Sequence, residues 1–500
     1  MDSIEKHNSD VIIVGAGNAA FSAAVSAAEN GSKVLMLEKT EEKYMGGNSA
    51  LTIHMRFAYN SFDDLLPLIK FPENKFPEKS EDQSNFENKI SLLKDIVTSY
   101  SELDYLNDIN KVTENKSDKN LSKELVSNSL STINWMNKLG HFWKPTFENP
   151  TSANVVSFDG KGYGLINRWK KIAIQKGVKI IYECPVIDLI EQKNKISGVV
   201  VNYKNQNIKL FAKSIILACG SFESNSEMRA KYLGENWRNI KLRGVPHNTG
   251  EGLEMAINRG AVPYDDWSTC HASPQDYNRP NFDLPGDNKS GDYWSRYAYP
   301  FSILVNQEGS RFVDEGETWR GLTYAKTGKA ILEQKNQVAY QLFDSKHRRA
   351  GVLDNYKNPT VITSNNLNDL ANKIEIENIN KFLSNIDNFN KNISSNFYNP
   401  NILDGKSVSN IIPSRSNWAL ELNEPPFEAF PVIAGMTFCY GGLKTSKDGE
   451  VLDKNGDIIN GLYAVGEMLG GLWYKNYPSG GGMMAGAVFG KKAGEKASIK

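Results

Sequence analysis

The residues best suited to chemistry near the start of the chain are Gly15, Gly17, Ala20 and Glu38. Gly15 allows a tight turn, Gly17 lets backbone approach a pyrophosphate, and the small Ala20 lets a helix pack closely on a strand. Asn18 and Ala19 open that helix, where free N–H groups and the helix dipole favour an anion. Glu38, followed by Lys39, closes a second apolar run at the distance from which a carboxylate accepts hydrogen bonds from a ribose 2′-hydroxyl. After a strand, and with the acid so spaced, this is a dinucleotide-binding fingerprint. A second glycine-rich stretch, Tyr477-Pro-Ser479-Gly480-Gly481-Gly482, lies near the other end.

The elements that must position these residues follow from periodicity. Residues 10–39 read strand, glycine turn, helix, strand, and 11–14 form the continuous apolar run of a strand covered on both faces. Residues 60–144 turn polar and Asn/Lys/Ser-rich, with helical periodicity at 85–105 and 121–139, which predicts a helical insertion. The stretches 177–182, 186–190, 196–201 and 208–211 are spaced like strands of a small antiparallel sheet. Residues 214–220 then form a buried strand ending at a glycine. Between 237 and 424 the parallel-strand pattern gives way to aromatic, proline and charged residues, and 355–401 carries helical spacing. Glu424-Pro-Pro-Phe427 punctuates the return. The expected class is mixed α/β and α+β: a Rossmann-like nucleotide domain over 1–236 and 425–500, with a substrate-capping domain inserted over 237–424.

Five hundred residues exceed one hydrophobic core. Lys plus Arg and Asp plus Glu number 58 each, so no net field attracts nucleic acid or an anionic membrane. No apolar run of about 18 residues exists, and the first ten residues carry no apolar leader. A soluble, cytoplasmic protein is expected. Cys184, Cys219, Cys270 and Cys439 lie far apart without a C-x-x-C pair, so no metal, iron–sulfur or haem site is expected. Electrons must then pass through a separate partner or acceptor.

The fingerprint serves NAD and FAD alike, but no second glycine-rich unit follows a strand, which favours a resident FAD. Five ordered blocks carry a resemblance: Gly46-Gly47-Asn48-Ser49, Ile216-Leu-Ala218-Cys219-Gly220-Ser-Phe222, Asn248-Thr-Gly-Glu-Gly252, Arg311-Phe-Val-Asp-Glu315 and 461–467. On these, the chain resembles the fumarate reductase/succinate dehydrogenase flavoprotein superfamily, most closely its FAD-dependent tricarballylate dehydrogenase-like branch. The resemblance implies that Gly46 to Ser49 pass beside the flavin ring and that Val186 presents backbone to the adenine. It implies also that Ala218, Cys219 and Gly220 line the nucleotide and that Glu467, after Gly466, binds the ribityl chain. From the residues themselves, Ser479, Gly480, Gly481 and Gly482 precede a helix expected over 483–493, whose positive end favours a reduced, anionic flavin. Membrane-bound relatives attach FAD through a histidine ahead of the Gly-Gly block. Here 41–45 holds none, so FAD is expected to be non-covalent.

For the substrate, the resemblance points to His271 and to Arg320, the latter as the proton-exchanging arginine. Arg296 is expected as a second carboxylate clamp, a task suited to a planar guanidinium. Fumarate reductases carry a second histidine before the pair Gly441-Gly442, where this chain has Thr437-Phe-Cys-Tyr440, and an arginine where it has Tyr477. Tyr477-Pro478 is similar to a segment of 3-ketosteroid dehydrogenases, in which a tyrosine polarises a ketone. The expected reaction is oxidation of a CH–CH bond beside a carboxylate or carbonyl, with a small di- or tricarboxylate of the tricarballylate type as substrate. A 3-ketosteroid-type 1,2-desaturase, a fumarate-reductase-like enoate reductase and a non-catalytic flavin-binding subunit stay open. Against a steroid stands the polarity of the inserted domain: Asp265, Asp266, Arg279, Asp283, Asp287, Lys289, Asp292, Arg296 and Arg320.

Overall fold

A computed structural model describes residues 9–69, 94, 97–145, 155–264 and 266–498. Asp265, the first eight residues and, apart from Lys94, residues 85–96 of the periodic stretch at 85–105 lie outside the described residues. The chain divides into two compact units.

The first unit comprises Met1–Asn225, His247–Thr269 and Cys439–Lys500. Its centre is a six-stranded sheet ordered Glu450–Leu452, Ile458–Ala464, Ser214–Leu217, Val11–Val14, Val34–Leu37 and Lys179–Ile181. All neighbours pair in parallel except the Glu450–Leu452 edge. The apolar run Val11–Val14 is buried on both faces, as a central parallel strand must be. Helix Asn18–Glu29 follows it and packs on the C-terminal helix Gly481–Ser498. Two glycines make that contact possible: a Cβ on Gly490 would lie 2.5 Å from the Ala19 carbonyl oxygen, and one on Gly494 2.2 Å from that of Ala23.

Two expectations need correction here. Lys179–Ile181 joins the parallel sheet beside Val34–Leu37, because helix Lys161–Gln175 precedes it as a crossover. The small antiparallel sheet therefore holds three strands, Val186–Gln192, Lys195–Tyr203 and Gln206–Phe211. The C-terminal helix begins at Gly481 and runs to Ser498, two residues earlier and five later than its pattern suggested. In the polar region 60–144 stand helices Phe62–Ile69, Glu102–Val112 and Lys119–Lys138. Glu102–Val112 starts from a reciprocal capping box between Ser101 and Asp104.

The second unit comprises Ser226–Pro246 and Cys270–Phe438. The division thus falls away from the expected 236/237 and 424/425. Helix Ser226–Leu233 goes with the second unit because Arg229 Nε binds the Trp237 carbonyl, 2.9 Å. His247–Thr269 goes with the first because Gly252 lets its helix approach Cys219, whose Sγ would lie 2.4 Å from an added Cβ. The residues after Pro426 do not return directly: Phe427–Cys439 is the central strand of the second unit. It pairs with Lys241–Leu242, Val338–Phe343, Cys270–Asp276 and Ile362–Ser364. Helices Leu367–Lys373 and Ile379–Lys391 cover one face of this sheet, through Leu370, Phe382, Ile386 and Phe389 against Ile303, Leu342 and Phe427.

In the first unit, His141 is fully buried between Trp143 and Trp169, its ring 4.2 Å from the latter's centroid. Neither ring nitrogen finds a partner among the described residues, and burial then Arg168 hold it well below its ordinary pKa. The unfolded chain therefore binds a proton that the native state refuses. Stability attributable to this neutral histidine is complete above about pH 6.5 and falls as pH drops below it. His141→Leu should flatten the fall in melting temperature between about pH 6.5 and 4.5. An unchanged slope would exclude His141 as the cause.

Candidate flavin site and substrate cluster

In the first unit, Gly15 has φ +109° and an added Cβ would lie 2.5 Å from the Ala218 carbonyl oxygen, so the turn itself demands glycine. Gly17 differs. It has an ordinary φ of −83°, and an added Cβ would meet nothing closer than Ser49 Oγ at 3.5 Å. The protein has no need of glycine there, and the space it leaves lies at the start of helix Asn18–Glu29. That helix has no side-chain cap bond and no acid in its first turn, although the Asn18 N–H reaches Ser49 Oγ at 3.1 Å. Ala19 and Ala20 are buried beneath the turn. A pyrophosphate fits this set.

Glu38 is buried at the end of Val34–Leu37, accepts from the Thr40 N–H at 2.9 Å, and burial pushes its pKa up. Glu38→Ala should lower the flavin-to-protein absorbance ratio of the purified protein severalfold. An unchanged ratio would remove Glu38 from the ribose. Lys39 is turned elsewhere, with its ammonium on Thr249 Oγ1 at 2.8 Å and on Glu251 at 3.3 Å. Val186 opens the three-stranded sheet with its side chain buried, and register slips between Val186 and Asp188.

The glycine loop is shaped by its neighbours. Gly46, at φ +104°, faces Ile166, and a Cβ on Gly47 would meet only Asn248 Oδ1, 3.8 Å away. Asn48 donates to Glu223 Oε1 at 2.7 Å, and Asn248 donates to the same oxygen at 2.5 Å. The Ala218 N–H binds the Val14 carbonyl, Cys219 Sγ lies 3.4 Å from Met468 Sδ, and Gly220, at φ +78°, rests on Asn248. Gly466, at φ +70°, passes Ala19, and Glu467 follows it. Burial and then Glu223 push the Glu467 carboxyl well above the usual range.

At the other glycine stretch, Gly480 has φ +80° and Gly481 and Gly482 open the C-terminal helix. The turn is held by a residue that sequence reasoning missed. Arg56 Nε donates to the Ser479 carbonyl at 2.8 Å, and Arg56 Nη1 to Tyr100 and Asp108 at 2.8 and 3.1 Å. A lone arginine amid the apolar residues 55–59 was its only signal. Tyr477 is buried edge-on against Trp473 at 5.7 Å and tilted to Tyr440 at 6.3 Å.

In the second unit, helix Arg320–Leu332 lies against strand Cys270–Asp276, because Gly328 lets the two backbones meet: an added Cβ would sit 2.2 Å from the Ala272 carbonyl oxygen. Arg320 and His271 are thereby brought into one cluster. The Arg320 guanidinium lies 4.9 Å from the Tyr297 ring centroid, Tyr297 meets Tyr324 edge-on at 5.7 Å, and Tyr324 meets His271 at 4.8 Å. His271 also stacks on Phe438 at 5.5 Å. Burial and then Arg243 hold its pKa well below the ordinary value, so the ring is neutral.

Arg243 is the second residue that was missed. Its Nε and Nη2 bind Asp292 Oδ1 at 3.0 and 2.5 Å, and Nη1 reaches Thr437 Oγ1 at 3.3 Å.

Arg296, expected as the second clamp, is not part of this cluster. Its Nε and Nη2 hold Asp276 Oδ2 at 3.0 and 2.8 Å, and its remaining donors reach the carbonyls of Tyr293, Ser295 and Lys357. With every N–H engaged and the side chain fully buried, it ties the strand to its loops. The polar wall shrinks likewise. Arg279 pairs with Asp283 at 3.0 Å and Arg243 with Asp292, while Asp266 binds Ser268 and Thr269 in the first unit. Four of the nine charges that weighed against a steroid, Arg279, Asp283, Asp292 and Arg296, are held in internal pairs, and that discriminator is weakened.

Fold and site define an FAD-dependent oxidoreductase. The family model described as FAD binding domain matches residues 106–483, and that of FAD dependent oxidoreductase matches residues 10–74. The chain belongs to this FAD-binding family, within the fumarate reductase/succinate dehydrogenase flavoprotein superfamily. It is 26% identical to the NADH:fumarate oxidoreductase of Klebsiella pneumoniae over 98% of its own length and 47% of that protein's. It thus spans about half of that relative. It is 27% identical to the fumarate reductase (cytochrome) of Shewanella frigidimarina, over 98% of this chain and 77% of that protein. Among solved structures, the 3-ketosteroid-Δ4-(5α)-dehydrogenase of Rhodococcus jostii RHA1 superposes with a TM-score of 0.73, covering 100% of this chain and 99% of that one. At 19% identity that likeness speaks for the fold alone. Among the described residues, no helix is long and apolar enough to cross a membrane.

Proposed function

We propose that this chain interconverts a small α,β-unsaturated carboxylate and its saturated acid. The observation that carries the reading is the cluster of Arg320, Arg243, Tyr297, Tyr324 and neutral His271 in the second unit. Guanidinium groups suit a carboxylate, and a neutral imidazole can donate to a carboxylate oxygen from one nitrogen without adding charge. FAD, when bound, supplies the hydride donor or acceptor at its N5. Arg320 exchanges the proton at the neighbouring carbon, and Tyr477 is assigned to polarising the carbonyl.

Dehydrogenation was the expected direction, yet arginine's charge favours the reverse. A guanidinium offers N–H donors and no acceptor, so Arg320 is suited to the acid's part, which enoate reduction requires. Similarity to two proteins named for fumarate supports the same direction. Tricarballylate has no observation of its own in its favour. The electrons are assigned to a separate donor, since the four cysteines lie far apart in sequence with no C-x-x-C pair.

The ketone reading retains one supporting observation, the burial of Tyr477 beside Tyr440 and Trp473. One experiment separates the two. Dithionite-reduced protein is mixed anaerobically with fumarate, acrylate or 4-androstene-3,17-dione while the flavin's visible absorbance is followed. Return of the absorbance with the small enoates alone supports the proposal. Return with the steroid alone transfers the assignment to ketone substrates.

A further inference from the structure

The first unit buries two carboxylic acids side by side where the sequence suggested one. Glu467 was expected at the ribityl chain, whereas Glu223 is a residue to which no role has been given. Glu223 is fully buried. Its Oε1 accepts from Asn48, in the glycine loop, and from Asn248, in the loop that packs on Gly220 and Gly47. Against Glu467 lie the Glu223 carboxyl, the Asn48 amide and the Ser221 backbone N–H. Glu467 Oε2 is buried with no hydrogen-bond partner among the described residues, so one oxygen is left to something else.

Two carboxylates in contact inside a protein cannot both be ionised, because their repulsion adds to the cost of burying each charge. One proton is therefore shared. Two amides converge on a single Glu223 oxygen, so Glu223 keeps the charge and Glu467, despite the Asn48 amide and the Ser221 N–H beside it, keeps the proton. Burial and Glu223 raise Glu467 in the same sense. Of the ionisable groups around this corner, burial pushes the Cys219 thiol up to about 12, and burial and then Lys39 keep His247 below its ordinary value. Lys39 itself is spent on Glu251.

We propose that Glu223 is a positioning residue of the flavin site: its carboxylate ties Asn48 and Asn248 together and shares one proton with Glu467, which meets the cofactor's polyol as an uncharged acid. The proposal rests on the assignment of Glu467 to the ribityl chain. Its physical advantage is that a neutral acid both donates to and accepts from hydroxyl groups, and adds no negative charge near a pyrophosphate or a reduced flavin.

The test is FAD release from the holoprotein, read by the fluorescence of freed flavin between pH 5.5 and 8.5, in Glu467→Gln, Glu223→Gln, the double variant and Glu467→Ala. Glu467→Gln, an uncharged mimic, should hold FAD within about threefold of the parent at every pH. Glu223→Gln lets Glu467 ionise, so its dissociation constant should rise about tenfold from pH 5.5 to 8.5, and the double variant should lose that pH dependence. The infrared spectrum of the parent should show the carbonyl stretch of a protonated carboxylic acid, absent from Glu467→Gln, which decides the matter even if Glu223→Gln fails to fold. The proposal is overturned if Glu467→Gln binds FAD tenfold more weakly, if Glu223→Gln binds like the parent throughout, or if that band is missing. Parent-like binding by Glu467→Ala overturns the ribityl assignment itself, a distinct failure.

Discussion

Arg320→Lys should retain its full complement of FAD and lose about 10²–10⁴-fold in turnover. FAD is retained because every residue assigned to the nucleotide lies in the first unit, whereas Arg320 opens a helix of the second. Turnover is lost because an ammonium on a flexible stem reproduces neither the planar fork nor its seat over the Tyr297 ring. The measurement is steady-state turnover with the best enoate, alongside flavin content. Equal activity would take Arg320 out of the mechanism. Arg296→Lys is the instructive contrast: one ammonium cannot hold Asp276 and three carbonyls together, so that variant should melt earlier instead of losing turnover selectively.

Gly490→Leu should cost about 3 kcal/mol of stability and most of the bound FAD. The Cβ alone would lie 2.5 Å from the Ala19 carbonyl oxygen, and backbone cannot yield as a side-chain tip can. The C-terminal helix would have to move away from Asn18–Glu29, and the first turn of that helix is the anion-binding end. Thermal melting and the flavin absorbance ratio of one preparation read both effects. A stable yellow variant would show that the interhelical contact is softer than its geometry implies. Because the insult is steric, Gly490→Ala should show a smaller form of the same defect.

What the sequence revealed and what it concealed divide along the distance between partners. Gly15, Gly17 and Glu38 were legible because the chemistry needs them at short, fixed spacings on one strand–turn–helix–strand unit. The alternating stretch at 177–182 was recognisable as a strand, but periodicity carries no address. Pairing with Val34–Leu37 is decided by the helix before it. Arg243 and Arg296 look alike in sequence. What separates them is that Asp276 and the surrounding carbonyls use up every donor of Arg296, while Arg243 sits beside His271, and neither fact lies in local sequence. Glu223 was invisible for the same reason, since its three polar neighbours come from three distant loops.

The interleaving of the two units has a consequence for how the molecule is made. The chain crosses between them at 225/226, 246/247, 269/270 and 438/439, so neither unit is one continuous stretch. During synthesis the first strand, Val11–Val14, and its helix emerge early. Strand Ile458–Ala464 and helix Gly481–Ser498, which complete their sheet and cover that helix, emerge last. The nucleotide-binding end must therefore wait, with apolar surface uncovered, until nearly the whole chain has left the ribosome, a span in which contacts of such long sequence separation invite chaperone capture or aggregation.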